Sequence, residues 1–154
     1  MKSVFLAMPV SYNLGSDGRF RPERRSFFES FVRVLRDLCL DVMSAGTNED
    51  WGALQLKPSE FTRYDLDAIA KAEALVVVTN ERLNRDMYLE TGLAVARGIP
   101  VIFVVASSTK LTYMGLGLEE LGVIHVTRYD ADADAPRLLR EALIRWEVVT
   151  GQGV

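Results

Sequence analysis

Few side chains in this sequence could do chemistry, and most of those that could are acids. There is one histidine and one cysteine, and no paired spacing of ligand-type residues that would hold zinc. A serine nucleophile would have to use His125, and no Gly-x-Ser-x-Gly turn accompanies any serine. His125 lies in an expected strand and reads as structural. Cys39, between Leu38 and Leu40, reads as part of the core rather than as a reactive thiol. The segment Asn13-Leu14-Gly15-Ser16-Asp17-Gly18 has neither the spacing of a dinucleotide-binding turn nor the lysine of a P-loop. Carboxylate chemistry remains. Asp65 and Asp67 lie in Arg63-Tyr64-Asp65-Leu66-Asp67-Ala68-Ile69, and Glu90 lies in Tyr88-Leu89-Glu90-Thr91-Gly92-Leu93-Ala94. An acid on a helix is ordinarily a solvated surface charge. Glu90 differs because it is expected in the first turn of a helix that follows the central strand. There it points toward the ligand edge of a sheet, and the helix dipole favours its anion.

Elements that could position these acids follow from the hydrophobic pattern. Short apolar runs alternate with longer segments of helical period, the pattern of β-α-β units around a parallel sheet. Strands are expected at Val4 to Met8, Leu40 to Met43, Ala74 to Val78, Val101 to Val105 and Val123 to Thr127. Phe27, Phe28, Phe31, Val34, Leu35 and Leu38 recur at spacings of three and four, giving the apolar face of a first helix. Ser59 is expected to cap a helix running to about Ala72. Another helix from about Met87 to Arg97 stops at Gly98 with Pro100 just beyond. Pro136 opens a closing helix through Trp146. The expectation is one domain over residues 1–154: a doubly wound, flavodoxin-like or Rossmann-like five-stranded parallel sheet with helices on both faces. In such folds ligands bind beyond the carboxyl ends of the strands. Pro9 to Pro22, Ser44 to Pro58 and Thr79 to Asp86 leave that edge, and the first is longer than a βα connection requires.

With 154 residues, 49% of them hydrophobic and 25% charged, the chain has the size and composition of an ordinary globular domain. A formal charge of −3 and the lack of any Lys/Arg-rich run argue against long nucleic acid as a partner. The lone cysteine excludes an intrachain disulfide and fits a reducing, cytoplasmic setting. No apolar stretch approaches the ~20 residues of a membrane span, so no membrane partner is expected, and the opening apolar run reads as a strand rather than a secretion signal.

Asp65-Leu66-Asp67 and Glu90-Thr91-Gly92-Leu93-Ala94 resemble two segments of the nucleoside 2-deoxyribosyltransferase superfamily, whose members carry an Asp-Leu-Asn-like segment on one helix and Glu-x-Gly-x-Ala on the next. The resemblance runs from Val4-Phe5-Leu6 through the closing helix in the same order. Within that superfamily the chain is most similar to the CMP and hydroxymethyl-CMP N-glycosidases of pyrimidine-nucleoside antibiotic pathways. Trp51-Gly52-Ala53, Pro58-Ser59-Glu60 and Thr62-Arg63-Tyr64-Asp65 carry that likeness. So does Phe5, where deoxyribosyltransferases usually have tyrosine, which by resemblance goes with ribose substrates.

The resemblance implies an N-glycosidase that hydrolyses a pyrimidine nucleoside 5′-monophosphate, CMP-like, to free base and ribose 5-phosphate, with no cofactor and no metal. Glu90 would attack C1′ to form a glycosyl-enzyme intermediate, and Asp65 would position or protonate the base and so have a raised pKa. A transferase exchanging bases on a deoxynucleoside and a noncatalytic nucleotide-binding module are the alternatives. Further candidates for contact with this small-molecule substrate are Phe5, Met8, Pro9, Trp51, Asp67, Asn84 and the pair Arg82 and Arg85; Tyr12, Arg19 and Arg21 read as surface. Nucleotide-specific relatives bind phosphate with a Ser/Gly loop before the nucleophile. Here that stretch is Asn80-Glu81-Arg82-Leu83-Asn84-Arg85-Asp86-Met87-Tyr88. Asp86 stands where those relatives have glycine and is a candidate helix cap that would repel phosphate; Arg82 or Arg85 could compensate. Relatives often complete their site from a neighbouring subunit, for which Ser107, Ser108 or Thr109 are the matching residues, implying a homodimer or larger. Met114 to Leu121 is expected either at that interface or in the core.

Overall fold

The structure, a computed structural model, describes residues 2–146 and 148. Its strands are β1 (Ser3–Ala7), β2 (Asp41–Met43), β3 (Ala74–Thr79), β4 (Val101–Ala106) and β5 (His125–Tyr129). The helices are α1 (Pro22–Asp37), α2 (Ala45–Asn48), α3 (Pro58–Lys71), α4 (Arg85–Ala96), α5 (Tyr113–Glu120) and α6 (Ala135–Arg145). The strands form one sheet in the order β2-β1-β3-β4-β5, with every neighbouring pair parallel. This is the doubly wound α/β arrangement expected from the pattern of short apolar runs.

Alternation along the strands sorts the core into two layers. Val4, Leu6, Val76, Val78, Ile102 and Val104 face one way and pack on Phe28, Phe31 and Leu35 of α1 and Leu139 and Leu143 of α6. Phe5, Ala7, Leu75, Val77, Phe103 and Val105 face the other way, onto Ala68 and Ile69 of α3 and Met87 and Ala94 of α4. Phe5 therefore lies on the face that carries both acid-bearing helices. The chain leaves β1 toward β2 on one side and later lays β3 on the other. This makes the carboxyl ends of β1 and β3 the topological switch point, where an open α/β sheet leaves a crevice.

Local hydrogen bonding moves several boundaries from their expected places. β5 begins two residues later than Val123, because Gly122 (φ +68°) closes α5 and the amides of Val123 and Ile124 turn back to the Leu118 carbonyl. Ser59 is not the cap of α3: Pro58 is its first residue, and the Lys57 amide donates to Glu60 Oε2 at 2.8 Å. Cys39 is not a core residue. It is exposed, and its φ of 58° ends α1 in the left-handed conformation while the Leu40 amide reaches back to the Leu35 carbonyl. Met114 and Leu121 are exposed on and just beyond α5 rather than in the core. The Ser44 to Pro58 segment, expected as a loop, contains α2, capped by Ser44 Oγ accepting from the Thr47 amide.

The first two edge loops grip one another. Leu14 and Phe20 form an isolated antiparallel bridge, and the Phe20 amide donates to the Trp51 carbonyl. The rings of Phe20 and Trp51 meet edge to face, 5.4 Å apart at 79°. Gly52 (φ +88°) makes this possible. A side chain there would be strained, and its Cβ would sit 2.5 Å from the Gly18 carbonyl oxygen.

Candidate active site

At the switch point the structure holds a cavity of about 290 Å³. β1 and the residues just after it form its back through Phe5 and Met8; the first loop contributes Ser11 and Leu14, and α2 with its C-cap contributes Ala45 and Glu49. Phe61 of α3 lines another side, and Asn84, Asp86, Met87 and Glu90 line the last. A smaller crevice runs between α3 and α4, bordered by Asp65, Asp86 and Glu90 together with Phe61, Leu66, Leu89 and Leu93. Asp86 and Glu90 border both openings. They are one turn apart on α4, so their side chains share a face.

The start of α4 explains how Glu90 is aimed. Asn84 Oδ1 accepts from the Met87 amide at 2.9 Å and caps the helix. Asp86, the residue expected to cap, is instead exposed in the first turn with its carboxylate uncommitted to the backbone. Met87 anchors the inner face of α4 at 1% exposure, and Thr91 Oγ1 donates to the Met87 carbonyl. Tyr88 ties α4 to the next helix: its hydroxyl accepts from the Thr112 amide at 2.9 Å. Glu90, between these anchored positions, is half-buried.

Asp65 and Glu90 belong to one cluster of acids. Burial pushes the Asp65 carboxyl up to about 7, with further contributions from the charges of Glu49 and Asp86. Burial likewise pushes Glu90 up to about 9, helped by Asp65 and Asp86. Between these values the two acids together retain one proton, and their order places it mainly on Glu90. Asp65 is only 7% exposed, and its Oδ1 is buried without a hydrogen-bond partner. A buried carboxyl oxygen left unpaired is costly, and it can take a donor from a bound molecule. Burial also raises the pKa of Glu49. Among the described residues no group of three His, Cys, Asp or Glu side chains is placed to hold a metal ion.

The cavity thus gathers Glu90, Phe5, Met8 and Asn84, with Asp65 reached through the crevice. Other expected residues stand elsewhere. Pro9 is buried beside the cavity, and its carbonyl accepts from the Asn13 side chain. Trp51 is held in the core against Phe20, with the Arg25 guanidinium 5.6 Å from its ring centre. A Cβ on Gly46 would lie 3.0 Å from Met8 Sδ and 3.3 Å from Trp51 Cζ3, so Trp51 backs the cavity wall without lining it. Asp67 is exposed on the outer side of α3 beside Arg63 and Tyr64. Arg82 and Arg85 are exposed and do not line the cavity; Arg82 lies over the Tyr12 ring, 4.5 Å from its centre. Ser107 and Ser108 are exposed after β4, and Ser107 Oγ donates to the Tyr129 carbonyl. Thr109 is committed to the Glu81 carbonyl at 2.6 Å. His125 stacks on Trp146 with ring centres 3.6 Å apart, and burial lowers its pKa.

Glu49, Ser11 and Phe61 also line the cavity, and residue type and spacing do not mark them in the sequence. Glu49 sits at the end of α2, a helix of four residues, and the only signal for it was the Ser44 cap just upstream.

Solved structures share this architecture. A CMP N-glycosidase from Clostridium botulinum, BcmB, matches with a TM-score of 0.66 at 20% identity, over 90% of this chain and 98% of that one. The solution structure of BlsM matches with a TM-score of 0.70 at 22% identity, over 99% of this chain and 98% of that one. A 2-deoxyribosyltransferase from Bacillus psychrosaccharolyticus matches with a TM-score of 0.59 at 19% identity, over 87% and 90%. No family model matches the chain, and no curated protein does. The chain therefore has the fold of these structures.

Proposed function

We propose that this chain is an enzyme that cleaves the N-glycosidic bond of a small nucleoside-type molecule. The observation that carries the reading is the meeting of two carboxyls with raised pKa, Asp65 from α3 and Glu90 from α4, at a crevice beside a cavity of about 290 Å³. Glycosidic cleavage requires one carboxylate to meet the oxocarbenium-like carbon and one acid to neutralise the departing base. Glu90 attacks C1′, the C1′–N bond breaks, and the base takes a proton from Asp65. Water then attacks C1′ of the glycosyl ester with Asp65 as base, which returns the Glu90 carboxylate and the free sugar.

The fold shared with a CMP N-glycosidase supports cytosine as the base and hydrolysis as the outcome; the fold shared with a 2-deoxyribosyltransferase supports base transfer as the second reading. Exposed Ser108 is available to a neighbouring copy of the chain, in keeping with a homodimer. Incubation with cytidine, CMP or deoxycytidine, with and without a second free base, followed by chromatography, tests the proposal. Release of free cytosine marks hydrolysis, and a new nucleoside marks transfer. Glu90→Gln is expected to lower turnover by about 10³-fold or more and Asp65→Asn by about 10²–10⁴-fold. Full activity in Glu90→Ala would refute the assignment.

A further inference from the structure

We propose that the cavity selects an unphosphorylated nucleoside and rejects the corresponding 5′-monophosphate, with Asp86 as the discriminating residue. This rests on the glycosidic reading of the site and specifies its substrate class. It departs from the CMP-like substrate that the resemblance suggests.

The argument is one of charge placement. Glu49, Asp86 and Glu90 line the cavity, and Asp65 stands with Asp86 and Glu90 along the adjoining crevice. Among the described residues no lysine, arginine or histidine lines either opening. A phosphate monoester carries roughly −1.5 to −2 charge at neutral pH, so in this cavity it would meet acidic side chains and no lining cation. The cations nearest in sequence to the lining are outside it or engaged. Lys57, Arg63 and Arg85 are exposed beyond the lining, Arg82 covers the Tyr12 ring, Arg21 donates to the Tyr12 carbonyl and Arg24 pairs with Glu81.

The amino end of α4 would otherwise be the natural anion site, since its free amides and dipole attract negative charge. Asn84 already caps the Met87 amide, and the Asp86 carboxylate occupies the first turn. Four residues, about 6 Å of helix rise, separate Asp86 from Glu90, comparable to the reach from C1′ to the 5′ substituent of a furanose. A sugar held at Glu90 therefore brings a hydroxyl within reach of Asp86, and a hydroxyl is the partner that an accepting carboxylate needs.

Calorimetric titration of the wild-type protein with matched pairs tests this: cytidine against CMP, deoxycytidine against dCMP, uridine against UMP. The nucleoside of at least one pair is expected to bind about tenfold or more tightly than its monophosphate at low salt. Asp86→Asn and Asp86→Gly should each shrink that ratio by about tenfold. Raising ionic strength should shrink it in the wild type as well, because screening weakens repulsion between partly exposed charges. The salt series decides the matter even where a variant fails to fold. Tighter binding of the monophosphates, a ratio insensitive to both salt and Asp86, or no binding by any pair overturns the proposal. Chromatography of the same mixtures separates the two readings. Preferred binding of a nucleoside with no base released sinks the glycosidase and leaves the charge selection standing; faster cleavage of CMP than cytidine does the reverse.

Discussion

At the scale of single residues, the site depends on where one proton sits. With Asp65 raised to about 7 and Glu90 to about 9, the pair holds one proton between those values, mainly on Glu90; the reactive form, with Glu90 ionised and Asp65 protonated, is the minor tautomer of that same state and follows the same pH dependence. kcat/KM should therefore rise as pH increases through about 7, when the pair loses its first proton, and fall through about 9, when it loses its second. Glu49 raises Asp65, whereas Asp86 raises both acids. Glu49→Gln should therefore shift the acid arm of the profile to lower pH, and Asp86→Asn should shift both arms the same way. A stopped assay across pH 5–10 on the three proteins measures this, and unmoved arms would show that these neighbours do not couple to the pair.

At the scale of elements, the hairpin-like first loop and the α2 segment form a clasp whose geometry depends on Gly52. Gly52→Ala combines a left-handed φ with a clash against the Gly18 carbonyl, and should destabilise the fold by about 2 kcal/mol or more. Chemical denaturation measures that loss; a variant within about 0.5 kcal/mol of wild type would show that the clasp adapts. What the sequence disclosed at this scale follows from burial. β3 and β4 are continuous apolar runs because both their faces are covered, and such runs are legible. Termini decided by a few hydrogen bonds were not. Nothing in the Leu38-Cys39-Leu40 triplet announces a left-handed helix stop at Cys39, and Asn84 rather than Asp86 caps α4 because of where the chain leaves β3. For the site, Glu90 and Asp65 could be read as acids on neighbouring helices. Trp51 could not be placed behind rather than in the cavity wall, because its neighbour Phe20 comes from a loop with no periodicity.

At the scale of the whole molecule, keeping two acids out of water weakens the fold above the pH at which they prefer to ionise. A carboxyl whose folded pKa lies above its unfolded value favours the native state fully at low pH, and that contribution is lost as pH rises through the folded pKa. For Asp65 and Glu90 the loss spans from the ordinary carboxyl range near 4 up to about 9. Glu90→Gln should therefore raise Tm by several degrees at pH 8–9, and the gain should fade toward pH 4. Thermal melts across that range read it directly, and a gain independent of pH would point to packing rather than to the buried charge.

Glu90 borders the large cavity and the narrow crevice alike, which gives the carboxylate a front and a flank. A molecule seated at the front blocks only one approach. Solvent-sized species retain a lateral route between α3 and α4, past Leu66 and Leu89. Bulky side chains introduced at those two positions would throttle traffic to the acid without touching whatever fills the front, so the two routes can be closed one at a time.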